Sequence, residues 1–256
     1  MAKAYIGLSG YSYKPWQGED RFYPVGLKQK EFLPFYASRY PAVEMDGSWY
    51  KTPTEEGVKQ WIEATPEGFQ FSFKLHKRVS HLGRLKEETY DAVHYMLRRM
   101  LPMAKAGKLG PLFVQLPPNF KRNDERLEGF LAALPHDFSN VKELECEPGL
   151  RPRWAIEFRN ESWVCPEVEE IMRRHNVAWV ASDRDEAKAD RKDTADFHYI
   201  RLRRMDTTEE TLKEWARYFE LQIANDKDCF IYCKHEDDGS PWEWADFLLK
   251  ELENRG

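Results

Sequence analysis

Residues Arg153 to Trp163, RWAIEFRNESW, set an acid and a base at the end of a short apolar run. Trp154, Ile156 and Phe158 alternate with Arg153, Ala155, Glu157 and Arg159, the two-residue period of a strand. Segments with helical spacing precede and follow it, so both faces of this strand are expected to be covered. Glu157 and Arg159 then point into an enclosed space, where charge is costly unless it is paired or binds something. A carboxylate and a guanidinium placed there suit proton transfer and the holding of an anion. The structural alternative is an ion pair that ties strand to loop.

Other strand ends repeat the pattern. Glu44, Asp46, Lys74, Gln115, Asp183 and Arg201 fall in the later parts of apolar, alternating segments whose earlier parts carry little charge. Glu157 and Glu44 are candidates for a general acid/base pair, since an apolar wall raises a carboxyl pKa and a nearby cation lowers it. Against this stands a set of salt bridges, Glu157 with Lys74 or Arg201 and Glu44 with Arg159. Lys74 has the chemistry for a Schiff base if desolvated, but holding an anionic substrate or a carboxylate is the favoured role. Asp183 completes the catalytic set of Glu157, Glu44, Lys74 and Asp183. Arg159 and Arg201 suit a phosphate or carboxylate. With Gln115, Ser9, Tyr11, His81 and Trp49 they form the expected substrate-binding set.

Competing chemistries have thinner support. Glu44, Asp46, Glu157, Asp183 and His76 carry groups that bind divalent metals. No HxH or HExxH spacing supports this, and nearby cations offer those acids other partners. The expectation is therefore no cofactor, with a divalent metal as the lesser reading. Ser9, His76, His81 and His198 supply triad residue types, but no GxSxG elbow occurs. The loop histidine His81 is the best placed for proton transfer at neutral pH. Tyr11, Tyr13, Trp16, Trp49, Tyr50 and Trp163 follow the first, second and fifth strands, where such rings stack on sugars or bases, or plug loop cores.

Eight strands must position these groups: Ala4–Ser9, Ala42–Trp49, Phe69–Leu75, Leu109–Leu116, the Arg153 stretch, Val177–Asp183, Asp196–Arg203 and Cys229–His235. Helical periodicity falls between them at Lys28–Tyr40, Thr54–Ala64, Glu87–Ala106, Asp124–Leu134, Pro166–His175, Thr208–Asn225 and Trp242–Leu252. Val141–Glu145 reads as a helix fragment or an extra strand, and Arg184–Ala195 as a mobile polar loop. Eight such units over 256 residues, with no composition break, predict a TIM-like (β/α)8 barrel forming a single domain over residues 1–256. An open doubly wound sheet is disfavoured because neither GxGxxG nor GxxxxGK[ST] is present.

The totals set outer limits. A net charge of -5 argues against bulk nucleic-acid binding but leaves room for a local basic groove. No apolar run approaches membrane length and MAKAYIGLSG has no signal-peptide pattern, so a cytoplasmic location is expected. Cys146, Cys165, Cys229 and Cys233 form no CxxC pair. Cys229 and Cys233 sit too far apart along one strand face to bond, so free thiols are expected.

Several motifs then run in order through nearly the whole chain. They are Ser9-Gly10-Tyr11-Ser12-Tyr13 with Trp16; Phe22-Tyr23-Pro24; Val43-Glu44 with Trp49-Tyr50; and Phe71-Ser72-Phe73-Lys74 with Ser80-His81. Leu109-Gly110-Pro111 leading to Gln115-Leu116-Pro117-Pro118 and Phe120 follows. Glu157-Phe158-Arg159 with Ser162-Trp163, then Asp183, then Tyr199-Ile200-Arg201-Leu202 complete the set. In these the sequence resembles the DUF72, or YecE-like, family of uncharacterised TIM-barrel proteins. The resemblance implies the fold and carries no reaction. The chain departs from the pattern at Asp46, at Arg203-Arg204 and at Lys234-His235, which identifies a divergent member with an altered rim.

Two functional expectations follow. The first is an enzyme acting on a small anionic or sugar-like molecule by acid/base chemistry, with hydrolysis, isomerisation and carbon–carbon cleavage all open. The second is a non-catalytic protein that binds a nucleotide or single-stranded nucleic acid through Arg203, Arg204, Lys234, His235 and the aromatic rim. No membrane partner is expected, and the sequence leaves the oligomeric state open.

Overall fold

The alternating segments form eight strands: β1 (Ala4–Ser9), β2 (Ala42–Met45), β3 (Gln70–Lys74), β4 (Leu109–Gln115), β5 (Trp154–Glu157), β6 (Val177–Ser182), β7 (Phe197–Leu202) and β8 (Asp228–Cys233). In a computed structural model that describes residues 1–184, 189–234 and 240–254, they close a barrel in the order β1 to β8. The registers described are parallel, among them Ser9 beside Glu44, Gln115 beside Glu157 and Arg201 beside Tyr232. This is the expected (β/α)8 architecture. Helices alternate with the strands: α1 (Phe32–Ala37), α2 (Glu55–Glu63), α3 (Tyr90–Lys105), α4 (Asp124–Ala133), α5 (Pro166–Arg174), α6 (Glu209–Ala224) and α7 (Pro241–Glu253).

Local chemistry sets their ends. Thr54, Asn123 and Thr208 cap α2, α4 and α6 by accepting the backbone N–H of Gly57, Arg126 and Thr211. Pro166 and Pro241 occupy the first turns of α5 and α7, where no N–H is needed. Lys108 closes the other end of α2. Lys108 is 7 % exposed, and its ammonium donates to the carbonyls of Ile62 and Thr65 at 2.7 and 2.6 Å. Burial pushes its pKa down.

The structure corrects several boundaries. The second strand stops at Met45, and Asp46–Trp49 turns as a 3-10 helix, with the Ser48 hydroxyl 2.7 Å from the carbonyls of Met45 and Lys74. Trp49 therefore stands on a turn. The Lys28–Tyr40 helix is a 3-10 turn, Gln29–Glu31, followed by the short α1. Val79–Arg84 is wound, not open: Arg78–Leu82 forms a π-helical turn, and Arg84 and Leu85 take positive φ. Val141–Glu145 is neither strand nor helix but a turn with Glu143 at φ 57°. Of the expected loop Arg184–Ala195, residues 185–188 lie outside the described residues, as does His235.

Packing divides the chain into two units. One comprises Met1–Glu44, Ala181–Arg191 and Asp196–Gly256. Its core includes an aromatic group in which Phe22 lies 5.9 Å from Trp16, 5.7 Å from Tyr40 and 5.9 Å from Trp242, centroid to centroid. The aromatic-dense loop after β1 thus plugs a core with Trp16, while Tyr13 stays exposed. The other unit comprises Met45–Val180 and Lys192–Ala195. In it Trp163 is fully buried against Phe120 and Phe158 and donates its indole N–H to the Phe120 carbonyl at 2.7 Å. All four cysteines are free; Cys229 and Cys233 are buried, and Cys146 and Cys165 partly exposed.

Gly7 marks a tight backbone approach in the first unit. A Cβ there would sit 1.9 Å from the Ala42 carbonyl oxygen and 2.9 Å from the Tyr36 hydroxyl. That hydroxyl accepts the Leu8 N–H and donates to the Ala42 carbonyl, so it cannot withdraw without breaking both bonds. Gly7→Ala is expected to cost about 1–3 kcal/mol. At about 2–4 °C per kcal/mol for a chain of this size, thermal unfolding reads this as a fall of several degrees.

Candidate active site

Among residues 45–180, the ends of β3, β4 and β5 bring four side chains into one hydrogen-bonded row. Lys74 Nζ donates to Gln115 Oε1 at 2.9 Å, and Gln115 Nε2 donates to Glu157 Oε2 at 2.8 Å. Arg159 Nε donates to the other oxygen, Glu157 Oε1, at 2.9 Å. The amide of Gln115 has only one orientation that serves both neighbours, because an ammonium only donates and a carboxylate only accepts. Strand register makes the row: Gln115 is the direct partner of Glu157, so their side chains emerge side by side on one face. Glu157 is 1 % exposed and Arg159 23 %, so the row runs from a buried carboxylate towards solvent.

Loop residues cover this row. The Lys74 ammonium lies 5.2 Å from the Trp49 ring centroid, and Lys77 approaches the same ring at 5.8 Å. The His81 ring meets Trp49 edge-on at 5.1 Å, and its Nδ1 is 2.9 Å from the Ser80 hydroxyl. Burial, then the charges of Lys74 and Arg159, lower the His81 pKa below its ordinary value, so the imidazole is neutral at pH 7. The Trp49 indole N–H is buried and has no hydrogen-bond partner. Sequence reasoning missed Lys77; its place beside two consecutive aromatic residues depends on the turn at 46–49. His76 is used elsewhere: its Nδ1 accepts the Arg78 N–H at 3.2 Å, which leaves Nε2 to donate to the Tyr50 carbonyl at 3.0 Å.

The other unit holds a second group around Glu44, which has no solvent exposure. Ser9 Oγ donates to Glu44 Oε1 at 2.5 Å, Arg201 Nη2 to the same oxygen at 2.8 Å, and Tyr199 Oη to Oε2 at 2.7 Å. Arg201 is 1 % exposed. Burial, followed by the Glu44 charge, holds the Tyr199 phenol well above its usual pKa. Glu44 is thus paired with Arg201, and Glu157 with Arg159. Arg159 lies two residues past the end of β5 and turns back onto the carboxylate of Glu157.

Asp183 and Tyr11 belong to the same unit as Glu44. Asp183 is 3 % exposed and accepts the Arg203 backbone N–H at 2.5 Å. Burial raises its pKa to about 6, although the N–H groups of Arg203 and Arg204 and their charges oppose the shift. Arg204 forks onto Asp206 at 2.8 and 2.5 Å. The Tyr11 carbonyl accepts the Tyr23 hydroxyl, and the Tyr11 ring lies 6.4 Å from that of Tyr36. His198 Nδ1 is 3.2 Å from the Tyr218 hydroxyl, while the Ser9 hydroxyl is engaged by Glu44. Among the described residues no cluster of three or more His, Cys, Asp or Glu side chains has metal-binding geometry. No helix among them is long and apolar enough to cross a membrane.

A closed eight-stranded barrel with mixed charges at the strand ends has the organisation of TIM-barrel proteins. The model of the family described as "Protein of unknown function DUF72" matches residues 5–256, and the chain belongs to that family. It is 31% identical over 168 residues to the UPF0759 protein YunF of Bacillus subtilis (strain 168), covering 63% of this chain and 52% of that protein. The chain spans about half the length of the curated relatives it matches. A DUF72 family protein from Thermotoga maritima MSB8 superposes with a TM-score of 0.74 at 22% identity, covering 98% of this chain and 99% of the other. D-psicose 3-epimerase from Clostridium cellulolyticum H10, solved with D-tagatose, shares the fold at a TM-score of 0.53 and 10% identity, covering 98% and 96%.

Glu44→Gln removes a buried carboxylate that accepts from Ser9, Tyr199 and Arg201. A loss of about 3–5 kcal/mol is expected from chemical denaturation; a loss below about 1 kcal/mol would show that the pair is dispensable. For Asp183, the folded pKa stands above the ordinary 3.8. The stability contributed by its protonated form is complete below about pH 4 and lost as pH rises through 6. The shift corresponds to about 3 kcal/mol at most. Asp183→Asn is therefore expected to flatten that descending limb and to be more stable than the parent at pH 8. Unfolding curves at pH 4, 6 and 8 check the sign.

Proposed function

We propose that the row Lys74–Gln115–Glu157–Arg159, with His81 and Trp49, is the active site of an enzyme acting on a small anionic or sugar-like molecule by acid/base chemistry. One observation carries this reading: a buried carboxylate flanked by donors, in line with Lys74 and Arg159 and beside a histidine that burial, helped by those two charges, keeps neutral. Glu157, ionised between the Gln115 amide and the Arg159 guanidinium, is the proton acceptor. Gln115 orients it and links it to Lys74. Lys74 and Arg159 hold negative charge on the substrate or developing in the transition state. His81 serves as a second proton carrier, and Trp49 covers the bound molecule. The positions at strand ends in a barrel agree with where such folds place their chemistry. The sugar-like half of the proposal draws support from the aromatic cover and from a fold relative crystallised with D-tagatose, a likeness of fold alone.

The reaction proposed uses no resident metal, because the acids already have donors: Arg159 for Glu157, Arg201 for Glu44 and the Arg203 N–H for Asp183. Plasma mass spectrometry of parent protein and Glu157→Gln, both purified without chelator, tests this. Near-stoichiometric metal that disappears in the variant would overturn the metal-free reading.

A thermal-shift screen of anionic and polyhydroxylated metabolites supplies the substrate for the decisive comparison. Glu157→Gln keeps the side-chain shape and is expected to reduce turnover by about 10²–10⁴-fold with a nearly unchanged melting temperature. A large loss of stability with turnover retained would assign Glu157 to the structure instead. Because His81 has a lowered pKa, the acid limb of kcat/KM governed by it is expected below pH 6.5 and absent in His81→Ala.

A further inference from the structure

On the outer side of the unit 45–180, a groove of about 690 Å3 lies between the segment 50–55 and the outward face of α3. None of its side chains belongs to the row described above. Tyr95 presents its ring to the groove and is 43 % exposed. Arg98 and Arg99 stand three and four residues further along α3, the spacing at which helical side chains meet. Both guanidiniums accordingly lie over the Tyr95 ring, at 5.9 and 5.3 Å from its centroid. Arg99 Nη2 also donates to the Tyr95 hydroxyl at 3.2 Å, and Arg98 Nη1 to the Lys142 carbonyl at 2.8 Å. The two cations are thus held in place, each only 27% exposed.

Their acidic partners are largely exposed to water. Glu143 reaches Arg98 at 3.4 Å with 81% of its side chain exposed, and Glu55 touches Arg99 through one nitrogen with 79% exposed. Single-point pairs of this kind on exposed side chains are readily exchanged. Asp91, by contrast, is occupied by Arg78 at 3.1 Å. When Glu55 and Glu143 swing into water, the groove is left with Arg98, Arg99 and Lys51 uncompensated.

We propose that this groove binds a small molecule bearing a pyrophosphate group, with one phosphoryl unit on each of Arg98 and Arg99. The guanidinium fork matches phosphate oxygens bidentately. A pyrophosphate carries more charge than either tethered carboxylate and so displaces both. The groove volume falls within the range of about 300–1,000 Å3 typical of small-ligand sites. Tyr50, 68 % exposed at the groove edge, offers a ring for the organic part of the molecule.

Calorimetric titration at fixed ionic strength with inorganic pyrophosphate and with ADP tests the proposal. Saturable binding is expected, weakened at least tenfold by Arg98→Gln or Arg99→Gln. Glu55→Gln and Glu143→Gln remove the competing charges and are expected to tighten binding several-fold, an opposite sign that a general loss of structure does not produce. If an arginine variant fails to fold, the two exposed acid-to-amide variants carry the test alone. Absence of saturable binding to the parent protein, unchanged affinity in the arginine variants, or weaker binding in the acid variants would each overturn the proposal. So would tight binding of an oligothymidylate that pyrophosphate does not displace, which would assign the groove to single-stranded nucleic acid.

Discussion

A carboxylate without access to water must collect its hydrogen bonds from the chain around it, and Glu44 is the position where this constraint is most severe. It stands on β2, yet its donors come from Ser9 on β1 and from Tyr199 and Arg201 on β7. Round the sheet, β7 is separated from β2 by β8 and β1, so the two β7 side chains must reach inward to meet it. Once Glu44 is buried, Arg201 has to be there, and Tyr199 two residues earlier on the same strand face supplies the donor for the second oxygen. Ser9 follows from register, as the direct partner of Glu44. One acid thereby dictates the residue type at three other positions.

Glu157 obeys the same rule with a different outcome. Its donors are Gln115, an uncharged amide, and Arg159, which keeps part of its side chain in contact with solvent. The row continues through Gln115 to Lys74, which itself is only partly buried. A carboxylate at the dry end and cations towards the wet end make a gradient that a charged molecule can enter. The Glu44 group has no such open end, since Glu44 and Arg201 are both sealed from water. The two groups differ in exposure more than in residue type.

The aromatic residues after the strands divide in the same way. Trp16 and Trp163 are buried and pack loops onto the body of their units, each against other rings. Trp49 and Tyr50 sit on a tight turn with cations against their faces, and Tyr50 is largely exposed. A ring that plugs a core and a ring that lines a site read identically in sequence, because both follow a strand and both are flanked by turn formers. Neighbours decide which it becomes.

Much of the fold was legible in order along the chain. The period-two apolar runs located all eight strands, and helical spacing located the helices between them. The family motifs were equally legible, since they are strings of residues. Boundaries failed where local hydrogen bonds overrode periodicity, as at Ser48, whose hydroxyl meets the carbonyls that end β2 and β3. The candidate site residues could be named from strand ends, but their pairing could not. That Glu44 meets Arg201 depended on shear and register in a closed sheet, quantities that no local spacing encodes. Composition and periodicity determined that charged groups would stand at the ends of buried strands. Only the tertiary structure decided which of them share a proton acceptor, because hydrogen bonds reach about 3 Å and the residues that make them lie up to 157 positions apart.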